Sequence, residues 1–190
     1  MEFKRDVCLM KLEKEMNETF QRYLKAAEQG DMEAQHNIGV CYDQGDGVGK
    51  DEAKAFEWYL KAAKQGQVAS QYNVGVCYDQ GWGVGKDQAK AFEWYLKAAE
   101  QGLKEAQHQV GVCYKQGWGA AKDQAKAFKW YLKAAEQGFD EAQHRVGVCY
   151  DEGWGVGKNK TKAFNWYVEA AEHGHMKAKS IVESSLRVKI

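Results

Sequence analysis

Three histidines stand at a fixed offset from a cysteine: His36 before Cys41, His108 before Cys113 and His144 before Cys149. Imidazole and thiolate are zinc ligands and also a base–nucleophile pair, so metal binding and thiol catalysis are the first chemistries to weigh. Neither fits the spacing. Residues five apart on a helix do not share a face. The three histidines are also separated by whole multiples of 36 residues, too far to share one ion. His173 and His175 flank one glycine and form no fuller ligand set. Nothing cationic adjoins the cysteines to lower their pKa; Tyr42, next to Cys41, carries no charge. No metal, cofactor or catalytic residue is therefore expected.

The run Gly45-Asp46-Gly47-Val48-Gly49-Lys50 has the wrong spacing for a phosphate loop, and Asp51 stands where a hydroxyl is needed. Hydroxyl residues other than tyrosine are limited to Thr19, Ser70, Thr161, Ser180, Ser184 and Ser185. None is followed three residues later by lysine, so the serine–lysine pattern of penicillin-recognising enzymes is missing. One alternative remains, a hydrolase or small-ligand-binding protein with a His/Asp pocket in a groove, such as His144 with Asp151.

The elements that carry these residues repeat every 36 positions. Gly-Val-Cys-Tyr recurs at 39–42, 75–78, 111–114 and 147–150, and Trp58, Trp94, Trp130 and Trp166 keep the same step. A fixed period of this length means stacked units that share a core. Within one unit, Ala34, Ile38, Cys41 and Tyr42 recur at helical spacing, which predicts a first helix over 32–44. Gly39 in its interior implies that another helix passes too close for a methyl group. The glycine-rich turn breaks the chain, Asp51 caps the next segment, and a second helix runs over 52–65. Ala55, Trp58, Tyr59 and Ala62 form one apolar stripe of it, Phe56 and Ala63 another, so it packs on two sides. Gly66 ends it in the left-handed conformation.

The reading is an all-α solenoid of antiparallel helix pairs, one domain over 1–190. Its parts are a long capping helix within 1–30, repeats at 31–66, 67–102, 103–138 and 139–174, and a polar cap at 175–190. Leu9, Leu12 and Met16 extend the stripe of the first cap. Ala178, Ile181, Val182 and Ser185 face inward in the last, with Lys177, Lys179, Glu183 and Arg187 outward.

Lys plus Arg and Asp plus Glu number 27 each, so no net field favours nucleic acid or an anionic membrane. No apolar run reaches the length of a membrane span, and the first ten residues lack a secretory signal, so the expectation is a cytoplasmic protein. Cysteines one unit apart on stacked helices are too distant to bridge; they read as buried, reduced core residues, with Cys8 the odd one.

The unit resembles the Sel-1-like repeat, a relative of the tetratricopeptide repeat. The match rests on Ala34, Ile38-Gly39, Tyr42, Gly45-x-Gly47-Val48, Lys50-Asp51, Lys54-Ala55, Trp58 and Lys61-Ala62-Ala63-x-x-Gly66. Gly49 departs from it where the family often has proline, and Ala120-Ala121 replaces Val-Gly in the third unit. The resemblance implies a right-handed superhelix and an adaptor that binds proteins. It does not extend to the cysteine-rich secreted relatives linked to β-lactam binding, which carry paired cysteines in each unit; here there is one.

By the same resemblance, variable first-helix positions line a concave surface. One reads His36, Tyr72, His108, His144; the next Asn37, Asn73, Gln109, Arg145; a third Asp43, Asp79, Lys115, Asp151. These are candidate anchors for a peptide or protein segment; the alternative is drift on a solvated face. With only Lys115 and Arg145 as cations, they do not suit base-by-base RNA reading. Trp82, Trp118 and Trp154 hold the variable place of the Gly-x-Gly turn. Either they form an exposed row for a partner or for self-association into a homo-oligomer, or each ring folds onto the adjacent turn and caps the core.

Overall fold

The structure, a computed structural model, describes residues 2–187, with side chains for 14–186. Among the described residues the chain forms ten helices and no strand. They are α1 (Glu2–Glu28), α2 (Met32–Gln44), α3 (Glu52–Lys64), α4 (Val68–Gln80), α5 (Gln88–Glu100), α6 (Lys104–Gln116), α7 (Gln124–Glu136), α8 (Asp140–Glu152), α9 (Lys160–Glu172) and α10 (Met176–Arg187). The side chains of Cys8, Leu9, Leu12 and Arg187, and residues 188–190 of the C-terminal cap, lie outside the described residues.

Local chemistry sets these boundaries. Each second helix starts on a side-chain cap: Asp51, Asp87, Asp123 and Asn159 accept the amide hydrogen of Lys54, Lys90, Lys126 and Lys162 at 2.9–3.0 Å. Such a cap contributes about 1 kcal/mol. The same residues close the turn, because the backbone N–H of Asp51 donates to Tyr42 O, that of Asp87 to Tyr78 O, that of Asp123 to Tyr114 O and that of Asn159 to Tyr150 O.

The chain divides into two compact units, 1–94 and 95–190, and α5 runs across the division. In the first unit α1, α2, α3 and α4 pack successively, each on the next. Ala55, Phe56, Tyr59, Ala63, Val74 and Cys77 form its main core, with Trp94 packed half-buried against it. Phe20 of α1 and Phe56 of α3 meet Tyr42 and Tyr78 edge-on at 5.6 and 5.3 Å. In the second unit α6 to α10 pack in the same succession. Phe128 meets Tyr150 edge-on at 5.3 Å, and Ala127, Tyr131, Ala135, Ala142 and Val146 are buried around that pair. The last cap is built as its pattern implies: Ala178 is buried, Ile181, Val182 and Ser185 are half-buried, and Lys177, Lys179 and Glu183 are exposed.

The helix-interior glycine has a definite neighbour. A methyl group on Gly39 would meet Tyr59 Cδ1 at 2.5 Å, and one on Gly147 would meet Tyr167 Cε1 at 2.6 Å. It is the tyrosine ring of the second helix, rather than its backbone, that claims the space.

A buried polar ladder escaped the sequence reading. Gln35, Gln71, Gln107 and Gln143 are all buried, and each donates from Nε2 to a carbonyl at the C-terminal end of the preceding helix: Ala27, Ala63, Ala99 and Ala135. These carbonyls, past the reach of the regular helix ladder, already accept the N–H of Gly30, Gly66, Gly102 and Gly138, and the glutamines add a second donor to each. Gln65 bonds Gln35 Oε1 at 2.7 Å and Gln137 bonds Gln107 Oε1 at 2.8 Å, tying successive pairs together. Gln107→Ala removes two hydrogen bonds, one to the Ala99 carbonyl and one from the Gln137 amide, so the second unit should lose about 2 kcal/mol. Urea unfolding measures it; a change below about 0.5 kcal/mol would contradict the ladder's role.

Candidate functional site

A slot forms where the second helix of one repeat meets the first helix of the next. In the first unit Asp43 from the end of α2, Glu52 and Tyr59 of α3, Asn73 of α4 and Trp82 from the following turn surround about 250 Å³. In the second unit the positions 72 residues on carry Lys115, Gln124, Tyr131, Arg145 and Trp154, around about 20 Å³. A third version lies beside α1, where Phe20 and Tyr23 face Asn37, Cys41 and Asp46. Helical spacing puts the residues of one helix on one wall, since Asn73 and Cys77 are four apart, as are Ala55 and Tyr59. The turn then folds back, and the backbone N–H of Trp82 and of Trp154 donates to the carbonyl of Cys77 and of Cys149. That bond holds each indole over the mouth of its slot.

The two slots are built from equivalent positions and differ in size and charge. Asp43 and Glu52 make the first acidic, whereas Lys115 and Arg145 make the second basic. Lys115 Nζ lies 4.8 Å from the centre of the Trp154 ring and fills space that stays open in the first slot. The polar bonding differs too. The Tyr59 hydroxyl shares a hydrogen bond with Asn73. Arg145 stands in the place of Asn73, and the Tyr131 hydroxyl is buried without a partner. Arg145 Nη2 bonds Glu141 Oε1 at 2.9 Å, while its Nε is buried and unpaired. Two donors inside a small basic slot lack an acceptor, and each such group costs about 1–3 kcal/mol.

Nucleophilic chemistry at the slot thiols is disfavoured. Burial, with Asp43 and Glu52 adding to it, pushes the Cys77 thiol up to about 12. Burial pushes Cys149 up to about 11 although Lys115 and Arg145 oppose the shift. All four repeat cysteines are free thiols. Cys41 is only half-buried, against expectation, because Asp46 stands where a tryptophan covers Cys77 and Cys149.

The structure brings together residues that the sequence reading kept on separate surfaces. Asn73 and Asp43 share a slot with Trp82, and Arg145 and Lys115 share one with Trp154. Trp82, Trp118 and Trp154 keep 47%, 41% and 38% of their surface exposed. Trp82 and Trp154 thus lean over a slot and still face solvent, a compromise between an exposed row and a folded-down cap. Asp79 and Gln109 are half-buried. Asp151 pairs with Lys160 Nζ at 2.6 Å. It stands two helical turns from His144, roughly 10 Å along α8, and each has a different partner, so they do not build a hydrolytic pair.

The histidine column packs elsewhere. His36, His108 and His144 lie against Tyr59, Tyr131 and Tyr167 at 5.5–5.8 Å. His36 Nδ1 also bonds Ser70 Oγ at 2.8 Å, His108 packs on Phe139, and the buried His144 stacks on His175. This column is therefore not a solvated face. Burial brings the His108 imidazole down from 6.5 to about 4, with Glu141 opposing the shift. Its Nε2 is buried without a partner, so the charged ring would strand an N–H. The unfolded chain takes up this proton near pH 6.5 and the folded chain only near pH 4. Its contribution is complete above 6.5 and is lost as pH falls toward 4. His108→Tyr, which copies Tyr72 of the second repeat, should spare about 2–3 kcal/mol of the loss between pH 7.5 and 4.5. Urea midpoints at both pH values measure it; equal acid sensitivity in the two proteins would contradict it.

The Sel1 repeat family matches residues 23–31, 33–67, 68–103, 104–139 and 140–175. This chain belongs to the Sel1 repeat family. Its Sel1 repeats start one or two residues later than the 36-residue blocks read from the sequence, with a partial match in α1. Among solved Sel1-type structures, a protective antigen of uropathogenic Escherichia coli with an SLR fold is 40% identical, with a TM-score of 0.81. The match covers 84% of this chain and 34% of that one. A Sel1 repeat protein from Oxalobacter formigenes is 37% identical with a TM-score of 0.81, covering 87% and 66%. The Helicobacter pylori cysteine-rich protein B is 26% identical with a TM-score of 0.56, covering 70% and 95%. The chain thus spans about a third of the Escherichia coli antigen and under two thirds of the Oxalobacter protein. No curated protein matches it. The all-α solenoid class expected from the sequence is the class of these relatives. Sel1 repeats are typically protein–protein interaction scaffolds and are generally not enzymes. Among the described residues no helix is long and apolar enough to cross a membrane.

Proposed function

We propose that the protein is a non-enzymatic adaptor that binds a peptide or protein segment on its first-helix face, with side chains of the partner entering the slots. The observation that carries this reading is a pair of slots built from equivalent positions and opposite in charge. The second, lined by Lys115 and Arg145, accepts a carboxylate side chain. Its two unpaired donors, Tyr131 Oη and Arg145 Nε, are the groups that a carboxylate oxygen satisfies. Entry moves Lys115 off the Trp154 ring and onto the carboxylate. The first, with Asp43 and Glu52, accepts a basic side chain. Aromatic lids over small polar recesses are what anchoring residues require. Backbone already fixed by the caps and the glutamine ladder lowers the ordering cost of binding. We place the activity in the cytoplasm; the four free thiols suit a reducing compartment.

Peptides selected on the purified protein from a randomised display library provide the probe. Replacing Asn73, Gln109 and Arg145 together by alanine should abolish their binding while helical content is kept. Binding that survives in this variant would move the site off the first-helix walls of the slots.

A further inference from the structure

The second unit holds one constellation that the slot does not use. Glu141 lies in the first turn of α8, His144 comes three residues later on the same face, and His175 precedes α10. One ligand-capable atom from each lies within 4.8 Å of the other two. His175 Nε2 is 3.0 Å from Glu141 Oε2, and the His144 and His175 rings stack at 4.3 Å with 14° between their planes. Both rings are only 8% exposed, and His144 Nδ1 is buried with no hydrogen-bond partner.

We propose that Glu141, His144 and His175 bind a divalent cation of the zinc class. Two imidazole nitrogens and one carboxylate are a ligand set that Zn²⁺ takes in proteins, with water completing the coordination. Arg145 Nη2 holds Glu141 Oε1 at 2.9 Å and leaves Oε2 turned toward the histidines, the orienting contact that metal ligands commonly have. The other repeats lack the full set. The equivalent positions carry Glu105, His108 and Phe139 one repeat earlier, and Glu33, His36 and Gln67 in the first repeat. The site is therefore a property of the last repeat rather than of the repeat pattern.

Loading changes the local bonding in a defined way. His175 Nδ1 accepts the N–H of Ala178 at 3.1 Å, so its hydrogen sits on Nε2 and points at Glu141. The cation takes the place of that hydrogen between Nε2 and Oε2. The hydrogen moves to Nδ1, and the cap on α10 is given up. Lone pairs lie in the ring planes, so the stacked His144 ring also turns about its Cβ–Cγ bond to present Nδ1. These changes give up one helix cap, a loss that the ligand bonds of a zinc site outweigh.

The test is calorimetric titration of the chelator-treated full chain with Zn²⁺ alone, joined to thermal unfolding. The expected result is one ion per chain and a rise in melting temperature. His175→Asn keeps a capping side chain and removes the imidazole, and Glu141→Gln keeps the size of the carboxylate. Each should weaken binding at least about tenfold, and His108→Tyr should leave it unchanged. No heat at one equivalent would overturn the proposal. So would binding undiminished in both variants, or binding lost only when the cysteine thiols are blocked.

Discussion

Gly155→Ala should lower the stability of the second unit by about 3 kcal/mol, the sum of two separate penalties. Gly155 has a φ of 70°, a left-handed conformation that costs an alanine about 1–2 kcal/mol. An added methyl would also run into the backbone carbonyl of Gln124 at the start of α7. Backbone there is fixed by the Asp123 cap, so it cannot yield as a side-chain tip would. Overpacking of this kind adds about 1–3 kcal/mol. Gly157, two residues on, provides the control, because nothing lies within 4 Å of its added methyl and its φ is not positive. Gly157→Ala should be neutral or stabilise by up to about 1 kcal/mol through the unfolded chain. Urea midpoints read both. Equal effects at the two glycines would contradict the close approach of the turn to the preceding repeat.

Charge reversal in the basic slot should have the largest effect on binding. With Lys115 and Arg145 both changed to aspartate, peptides selected for an acidic residue should bind at least about thirtyfold more weakly, the lower end for unpairing a desolvated charge. The parent protein should also lose affinity as salt rises, and the variant much less. Affinity indifferent to both the substitutions and the salt would show that the slot carries no part of the interaction.

Much of this architecture can be read from spacing, and the reasons are local. Met32–Gln44 is bounded by Asp31, which caps its start, and by the left-handed Gly45 at its end, so its limits are set by side chains and backbone within the segment. Asp51 signals the next helix in the same way. What escapes the sequence depends on register between repeats. Arg145 and Lys115 are 30 residues apart, and only the stacking of α6, α7 and α8 brings both to Trp154. Histidines at whole repeat lengths from one another each pack on a tyrosine of their own. His144 meets His175 at an offset of 31, the offset that also joins His108 to Phe139. Gln35 and its equivalents were visible as fixed polar residues in an otherwise apolar stripe. Their task, bonding carbonyls at the end of the preceding helix, needs the helix pair in place.

We propose that the slots between successive helix pairs hold a partner by its side chains. A crystal structure of the protein with a peptide selected on it tests that directly. An acidic side chain should be seated between Lys115 and Arg145 beneath Trp154, with the Tyr131 hydroxyl and Arg145 Nε bonded to its oxygens. A peptide lying across the second helices, with Lys115 still over Trp154 and both donors unpaired, would contradict it.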